Sequence, residues 1–234
     1  MPEQDKPASP DPSRPLEDYW VKRFEASARR DDDAARNIGH TFGHEERRRV
    51  FRELVARHLP GTARSVLDIG CGSGTYFDVY SRLGLRIQGL DFSRAQLAVA
   101  QQRWPESRLV TGELTQAPAD LTADLVVCIG VVQVVSDLPS FARSLADRVN
   151  PGGIAIVSCL EKISIWPGAL LDRHLRFYTR RQMRKLFTVR LTERVCRRFY
   201  PLPAPFHLLR PLLYRAQVPL LNHGMMFVLA NDQS

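Results

Sequence analysis

The chain is short of cysteine, has no uncharged run long enough to cross a bilayer, and shows no histidines and thiols at metal-ligand spacing. Each shortage excludes something. A spanning helix needs about 20 consecutive apolar residues, and none occurs. The four cysteines, Cys71, Cys128, Cys159 and Cys196, are scattered, and three fall on or beside runs that read as buried strands. That pattern suits reduced core thiols in a cytoplasmic protein, with no metal expected. Residues 1–15 carry five prolines among charged and small residues and lack the apolar centre of a signal peptide. They read as a flexible leader. There are no internal repeats.

What is present is a mixed chain of 234 residues, 44% hydrophobic, with a net charge of +8. That length suits one sizeable α/β domain and is short for two. The positive charge is uneven. Ten Arg or Lys lie between Arg173 and Arg198, with Asp172 and Glu193 the only acids nearby. Such a patch can attract phosphate, an anionic acceptor or an anionic membrane surface, or be a solvated face.

Chemistry enters with Val66-Leu67-Asp68-Ile69-Gly70-Cys71-Gly72-Ser73-Gly74. The apolar run predicts a buried strand, and residues 75–83 predict the opening of a helix. Glycines between them let the backbone turn sharply and approach a ligand closely. A carboxylate at the end of a central strand is costly unless it meets a polar partner. A dinucleotide fingerprint would place its last glycine where Thr75 stands, and would not need Asp68.

This string resembles motif I of the class I S-adenosylmethionine-dependent methyltransferases, small-molecule type. The resemblance is specific from about residue 65 to residue 160 and looser beyond. It implies a doubly wound, mostly parallel seven-stranded α/β sheet with helices on both faces and an antiparallel last strand. It also implies that S-adenosylmethionine packs against Gly70, Cys71, Gly72 and Gly74, with Asp68 orienting its amino group. A second strand over 86–90 ends in Asp91, which can accept hydrogen bonds from ribose hydroxyls. Phe92 then lies against adenine, and Ser93 caps a helix to about Arg103. After a third strand, Arg108–Thr111, Gly112-Glu113-Leu114 places Glu113 near the adenine amino group, where Asp is more usual. A fourth strand over 124–129 brings Ile129 and the loop 130–137 to the cofactor and acceptor. Asn150-Pro151-Gly152-Gly153 turns into a fifth strand over 154–160. Asp91 as a mere helix-start acid and Glu113 as a surface acid are the plain alternatives.

The resemblance divides residues 16–234, a single domain, into an N-terminal helical cap (16–62), a cofactor-binding core (63–160) and an acceptor-side half (161–234). In the cap, one helix opens at Asp18-Tyr19-Trp20 and another runs from about residue 44 to 58. Tyr19, His40 or His44 could face the site. Past the fifth strand, His174 is the candidate general base, and Thr179 with Gln182 makes a capping box for a helix over 180–187. A sixth strand begins near Arg190 and a last one spans Gly224–Ala230. Residues 201–221, apolar and holding five prolines, form an insert open to four readings: a lid, a dimer surface, a membrane contact or core.

The resemblance implies transfer of a methyl group to a small, hydrophobic acceptor, most often on oxygen in this part of the family. Two alternatives remain open here: an RNA methyltransferase using the basic half, and a catalytically inactive, cofactor-binding partner subunit. Nucleic acid is disfavoured because aromatic residues are not interleaved with the basic run.

Overall fold

A computed structural model of the chain describes residues 15–28, 41–162, 174–199, 211–212, 215 and 224–233. Most of the leader and most of the 201–221 insert lie outside the described residues. Among those described, six α-helices surround one seven-stranded sheet of order β3-β2-β1-β4-β5-β7-β6. The strands are β1 (Ser65–Ile69), β2 (Arg86–Asp91), β3 (Arg108–Thr111), β4 (Ala123–Cys128), β5 (Val149–Leu160), β6 (Thr192–Phe199) and β7 (Gly224–Ala230). β1 pairs in parallel with β2 and β4, β2 with β3, and β4 with β5. β7 runs antiparallel to both β5 and β6, as the sequence implied.

Burial explains the strand compositions. β1 and β7 are buried along their whole length and carry near-continuous apolar runs, as central strands covered on both faces must. The two edges are polar. β3 is half-exposed, and β6 carries Arg194, Arg197 and Arg198 along the sheet's edge, charges that discourage pairing with another chain.

The helices are α1 (Pro15–Ser27), α2 (Thr41–His58), α3 (Phe77–Arg82), α4 (Arg94–Arg103), α5 (Leu138–Ala146) and α6 (Arg180–Phe187). Alternation along the strands sends one set of side chains to each face. Val66, Leu125, Val127 and Ile156 pack with Val50, Phe51 and Leu54 of α2, Phe77 and Tyr80 of α3, and Leu97 of α4. Leu67, Val126, Ala155 and Phe227 pack on the other face with Phe141 and Leu145 of α5 and Met183 and Phe187 of α6.

Several boundaries differ from the sequence reading, each for a local reason. The turn at 150–153 is absorbed into β5, because Gly152 N–H donates to Asn231 (2.9 Å) and Gly153 O accepts from Asn231 N–H (3.0 Å). α1 begins at Pro15, inside the expected leader; proline suits a first helical turn. β6 starts at Thr192, since Leu191 N–H still donates to Phe187 O and closes α6 (3.2 Å). The capping box is present: Thr179 Oγ1 accepts from Gln182 N–H (3.3 Å), and Gln182 Oε1 accepts from Thr179 N–H (2.8 Å).

At the N-terminal end of the sheet, Asp124 ties three strands together. It accepts from Arg64 N–H (2.8 Å), from Ser65 N–H (3.1 Å) and from Asn150 Nδ2 (2.8 Å). Partial burial pushes its carboxyl up, but these hydrogen bonds outweigh that and hold it below the usual carboxylate range. The opposite, C-terminal end of β1, β2 and β4 is where strand order reverses and ligands bind in open α/β sheets.

Candidate active site

β1 ends in a turn whose glycines Gly70, Gly72 and Gly74 have φ of 71°, 53° and 77°, a region that other L-residues occupy at a cost. The turn is pinned to β2 by N–H groups of Gly70 and Cys71, both donating to Leu90 O (2.7 and 3.3 Å). At Gly70 the need for glycine is doubled. A Cβ there would fall 2.2 Å from Cγ2 of Val131, which overhangs the turn from the loop after β4.

Asp91, at the end of β2, is only 9% exposed, and both of its oxygens are fixed. Oδ2 accepts from Gly72 N–H (2.8 Å) and Oδ1 from Ser93 N–H (2.8 Å). The carboxylate therefore locks the glycine turn to the start of α4, where Ser93 Oγ caps by accepting from Gln96 N–H (3.2 Å). Burial pushes its pKa up to about 6, against the pull of the Ser93 and Gly72 N–H groups.

A cavity of about 430 Å³ opens over this turn. Gly70 and Gly72 form its floor, and Asp91, Phe92, Glu113, Leu114 and Ile129 line its sides. The roof is α1, through Trp20, Val21 and Phe24. Phe24 meets Phe92 edge-on, with ring centroids 5.8 Å apart. α1 is fastened to α4 by Gln96 Nε2, which donates to Ser27 Oγ (3.1 Å) and Phe24 O (3.3 Å).

Seven of the ten residues expected at a cofactor thus border one cavity: Gly70, Gly72, Asp91, Phe92, Glu113, Leu114 and Ile129. Asp68, Cys71 and Gly74 lie behind its wall. Strand parity turns Asp68 to the α3 face, where it is 2% exposed and accepts a hydrogen bond from Tyr80 Oη (2.9 Å). Burial raises its pKa to about 7; the Tyr80 hydroxyl opposes this and the Asp91 charge adds to it. The Cys71 thiol is seated against Gly89, where a Cβ would come within 2.8 Å of Sγ. Gly74 turns the chain under Phe77 and Trp104. His174 is half-buried outside the cavity lining and stacks on Tyr19 of the roof helix, centroids 4.0 Å apart.

The sequence reading missed Arg47. It borders the cavity from α2, with Nη1 3.5 Å from where a Cβ of Gly130 would stand. Its Nε is buried without a hydrogen-bond partner among the described residues, as are Trp20 Nε1 on the roof and Gln133 Oε1 beside Gly130. A signal for Arg47 was available: it falls in register with Val50, Phe51 and Leu54 on the buried stripe of α2. An arginine there must serve something internal. The cavity therefore has an acidic end at Asp91 and Glu113 and a cationic end at Arg47, joined by a glycine floor.

Such a sheet, with a glycine turn and an acid at its switch point, defines a Rossmann-like methyltransferase fold. Residues 42–190 match the family described as Methyltransferase domain. The chain belongs to this family, and is a class I S-adenosylmethionine-dependent methyltransferase by fold and family. It is 31% identical over 157 residues to a ubiquinone biosynthesis O-methyltransferase of Methylobacterium nodulans, covering 61% of this chain and 63% of that protein. It is 33% identical over 117 residues to a trans-aconitate 2-methyltransferase of Delftia acidovorans, covering 48% and 44%. The chain thus spans less than two thirds of these relatives' length. Among solved structures it resembles N-methyltransferase NodS from Bradyrhizobium japonicum in complex with S-adenosyl-L-homocysteine (TM-score 0.67, 16% identity, 91% of this chain and 98% of that one). It also resembles geranyl diphosphate C-methyltransferase from Streptomyces coelicolor (TM-score 0.65, 17% identity, 94% and 100%). At such identities the likeness is one of fold.

Proposed function

We propose that the cavity binds S-adenosylmethionine and that the chain transfers its methyl group to a small, apolar acceptor, on oxygen. The observation that carries this reading is Asp91, a carboxylate at the cavity wall whose oxygens are pre-set by Gly72 and Ser93 N–H groups. Each oxygen keeps a lone pair for a ribose hydroxyl. Phe92 and Leu114 offer apolar surfaces to adenine and Glu113 an acceptor for its amino group. Arg47, whose Nε–H has no partner among the described residues, suits the carboxylate of the amino-acid end, over the floor made by Gly70. Asp68 acts on that end from behind the turn as a buried negative charge. Cys71 and Gly74 fix the turn's shape.

When bound, the cofactor supplies an electrophilic methyl group on a sulfonium. The chain's own task is to hold the acceptor in line with that bond and keep water out, which can contribute roughly 7–11 kcal/mol. Val21, Val131 and Val134 give the cavity apolar surface, and α1 closes it. His174, stacked on the roof helix, is the candidate to take the acceptor's proton. The cap (16–62), core (63–160) and acceptor-side half (161–234) divide these tasks. Oxygen as the acceptor atom is supported by relatives named as O-methyltransferases; the fold itself is shared with N- and C-methyltransferases.

Calorimetry with S-adenosylhomocysteine tests the reading. Binding is expected, and Asp91→Ala should weaken it at least tenfold. Absence of binding, or preference for a pyrophosphate-containing dinucleotide, overturns it.

A further inference from the structure

A second cavity, of about 310 Å³, lies between α2 and the edge strand β6, on the sheet face that carries α2, α3 and α4. Its apolar surfaces are Val50, Leu54 and Pro211, and its rim bears Arg57 and Arg197. Strand parity explains Arg197: it shares a face with Val195 and Phe199, which pack toward α2. Arg57 comes from the last turn of α2, where a cation is favourable.

These two arginines stand apart from their neighbours. Arg49, also on the rim, is neutralised by Glu46 (2.8 Å) and by Glu53. The other arginines of β6 are paired too, Arg194 with Asp232 (2.5 Å) and Arg198 with the buried Glu161 (2.8 Å). Arg57 and Arg197 have no ion pair or hydrogen bond among the described residues. Beside Pro211, Leu212 is 64% exposed, one of three large apolar side chains left in solvent among the described residues, and Arg215 is exposed as well. Among the described residues, the surface therefore presents two unpaired guanidinium groups next to an exposed apolar side chain.

We propose that this face docks the protein on an anionic phospholipid bilayer, with Arg57 and Arg197 binding headgroup phosphates and Pro211 and Leu212 entering the interface. Guanidinium is well matched to phosphate, and it sits at an interface with an apolar side chain at lower cost than ammonium does. Removing one basic residue near an anionic surface weakens attachment about fivefold.

Co-sedimentation of the full chain with vesicles tests this. Binding is expected to mixed phosphatidylglycerol–phosphatidylcholine vesicles, to weaken as salt is raised, and to be absent with phosphatidylcholine alone. The double substitution Arg57→Gln, Arg197→Gln should weaken it about 25-fold. Leu212→Asp, at an exposed site, should also weaken it with both arginines in place. Arg181→Gln with Lys185→Gln, on the exposed face of α6, should change it less than twofold. Affinity for S-adenosylhomocysteine should be unaltered in all of them, which separates this proposal from the reading of the first cavity. Four results overturn it: no binding to the mixed vesicles; equal binding by the double variant; equal loss in the α6 variant; or a dimer in solution that buries Arg197. Calorimetric binding of inorganic phosphate at this groove without vesicle binding would identify a free-anion site instead.

Discussion

Asp68 and Asp91 are two buried carboxylates on adjacent strands, each with its pKa raised, to about 7 and about 6. A carboxyl whose folded pKa exceeds its unfolded value binds protons more tightly when folded. Its ionisation therefore removes stability as pH climbs from the unfolded value of 3.8 through the folded one. The ligand-free protein should gain thermal stability between pH 8 and pH 5.5, by about 2–4 °C for each kcal/mol recovered. Asp68→Asn should remove most of that gain, and a melting series against pH checks it. Cofactor affinity should run the other way. Asp91 must be ionised to accept from ribose, so binding of S-adenosylhomocysteine should weaken as pH falls through about 6, read by calorimetry at several pH values. Gly70 yields a third expectation. Gly70→Ala meets both a positive φ and Val131, so it should lose cofactor affinity more than tenfold. Val131→Ala should restore part of that loss, since it removes the clash at 2.2 Å while the backbone strain stays.

At the level of elements, the two caps differ in how much the sequence revealed. α6 was legible to the residue, because a capping box is written in two side chains three positions apart. Thr179→Ala should cost about 1 kcal/mol, seen as a lower melting temperature with cofactor affinity unchanged. α1 was legible as a helix of a cap facing the site, but the residues that seat it there were not. Its position depends on Phe24 meeting Phe92, and on Gln96 reaching across from α4, neither of which leaves a periodic trace. Phe24→Ala should weaken cofactor binding roughly threefold to tenfold, the worth of an edge-to-face pair at a binding surface. Asp68 shows the same limit from the other side. The motif marks the residue, while strand parity and Tyr80 decide that it faces α3 and not the cavity. Arg47 was not singled out in the sequence, although its register with Val50 and Leu54 set it apart.

For the whole molecule, the doubly wound, seven-stranded sheet with an antiparallel last strand was legible through the family resemblance carried by the glycine turn and its acids. That is strong information because parallel strands need crossovers, and crossovers have few arrangements. The ion pair at edge strand β6 and the tether at Asp124 were not legible, as they join residues 26 or more positions apart through single side chains. A saturating ligand should stabilise the fold as a unit. At S-adenosylhomocysteine concentrations of about 100 times Kd the gain is about 2.7 kcal/mol, so the melting temperature should rise by several degrees. The manner of roofing has a kinetic corollary. The first cavity is roofed by a helix held to the body through ring edges and a few polar contacts, so displacing that helix should widen the way in and out for a guest. Occupancy lifetime, and with it the pace at which spent nucleoside is exchanged for fresh, should then depend on the swing of α1 as well as on the glycine cradle beneath it.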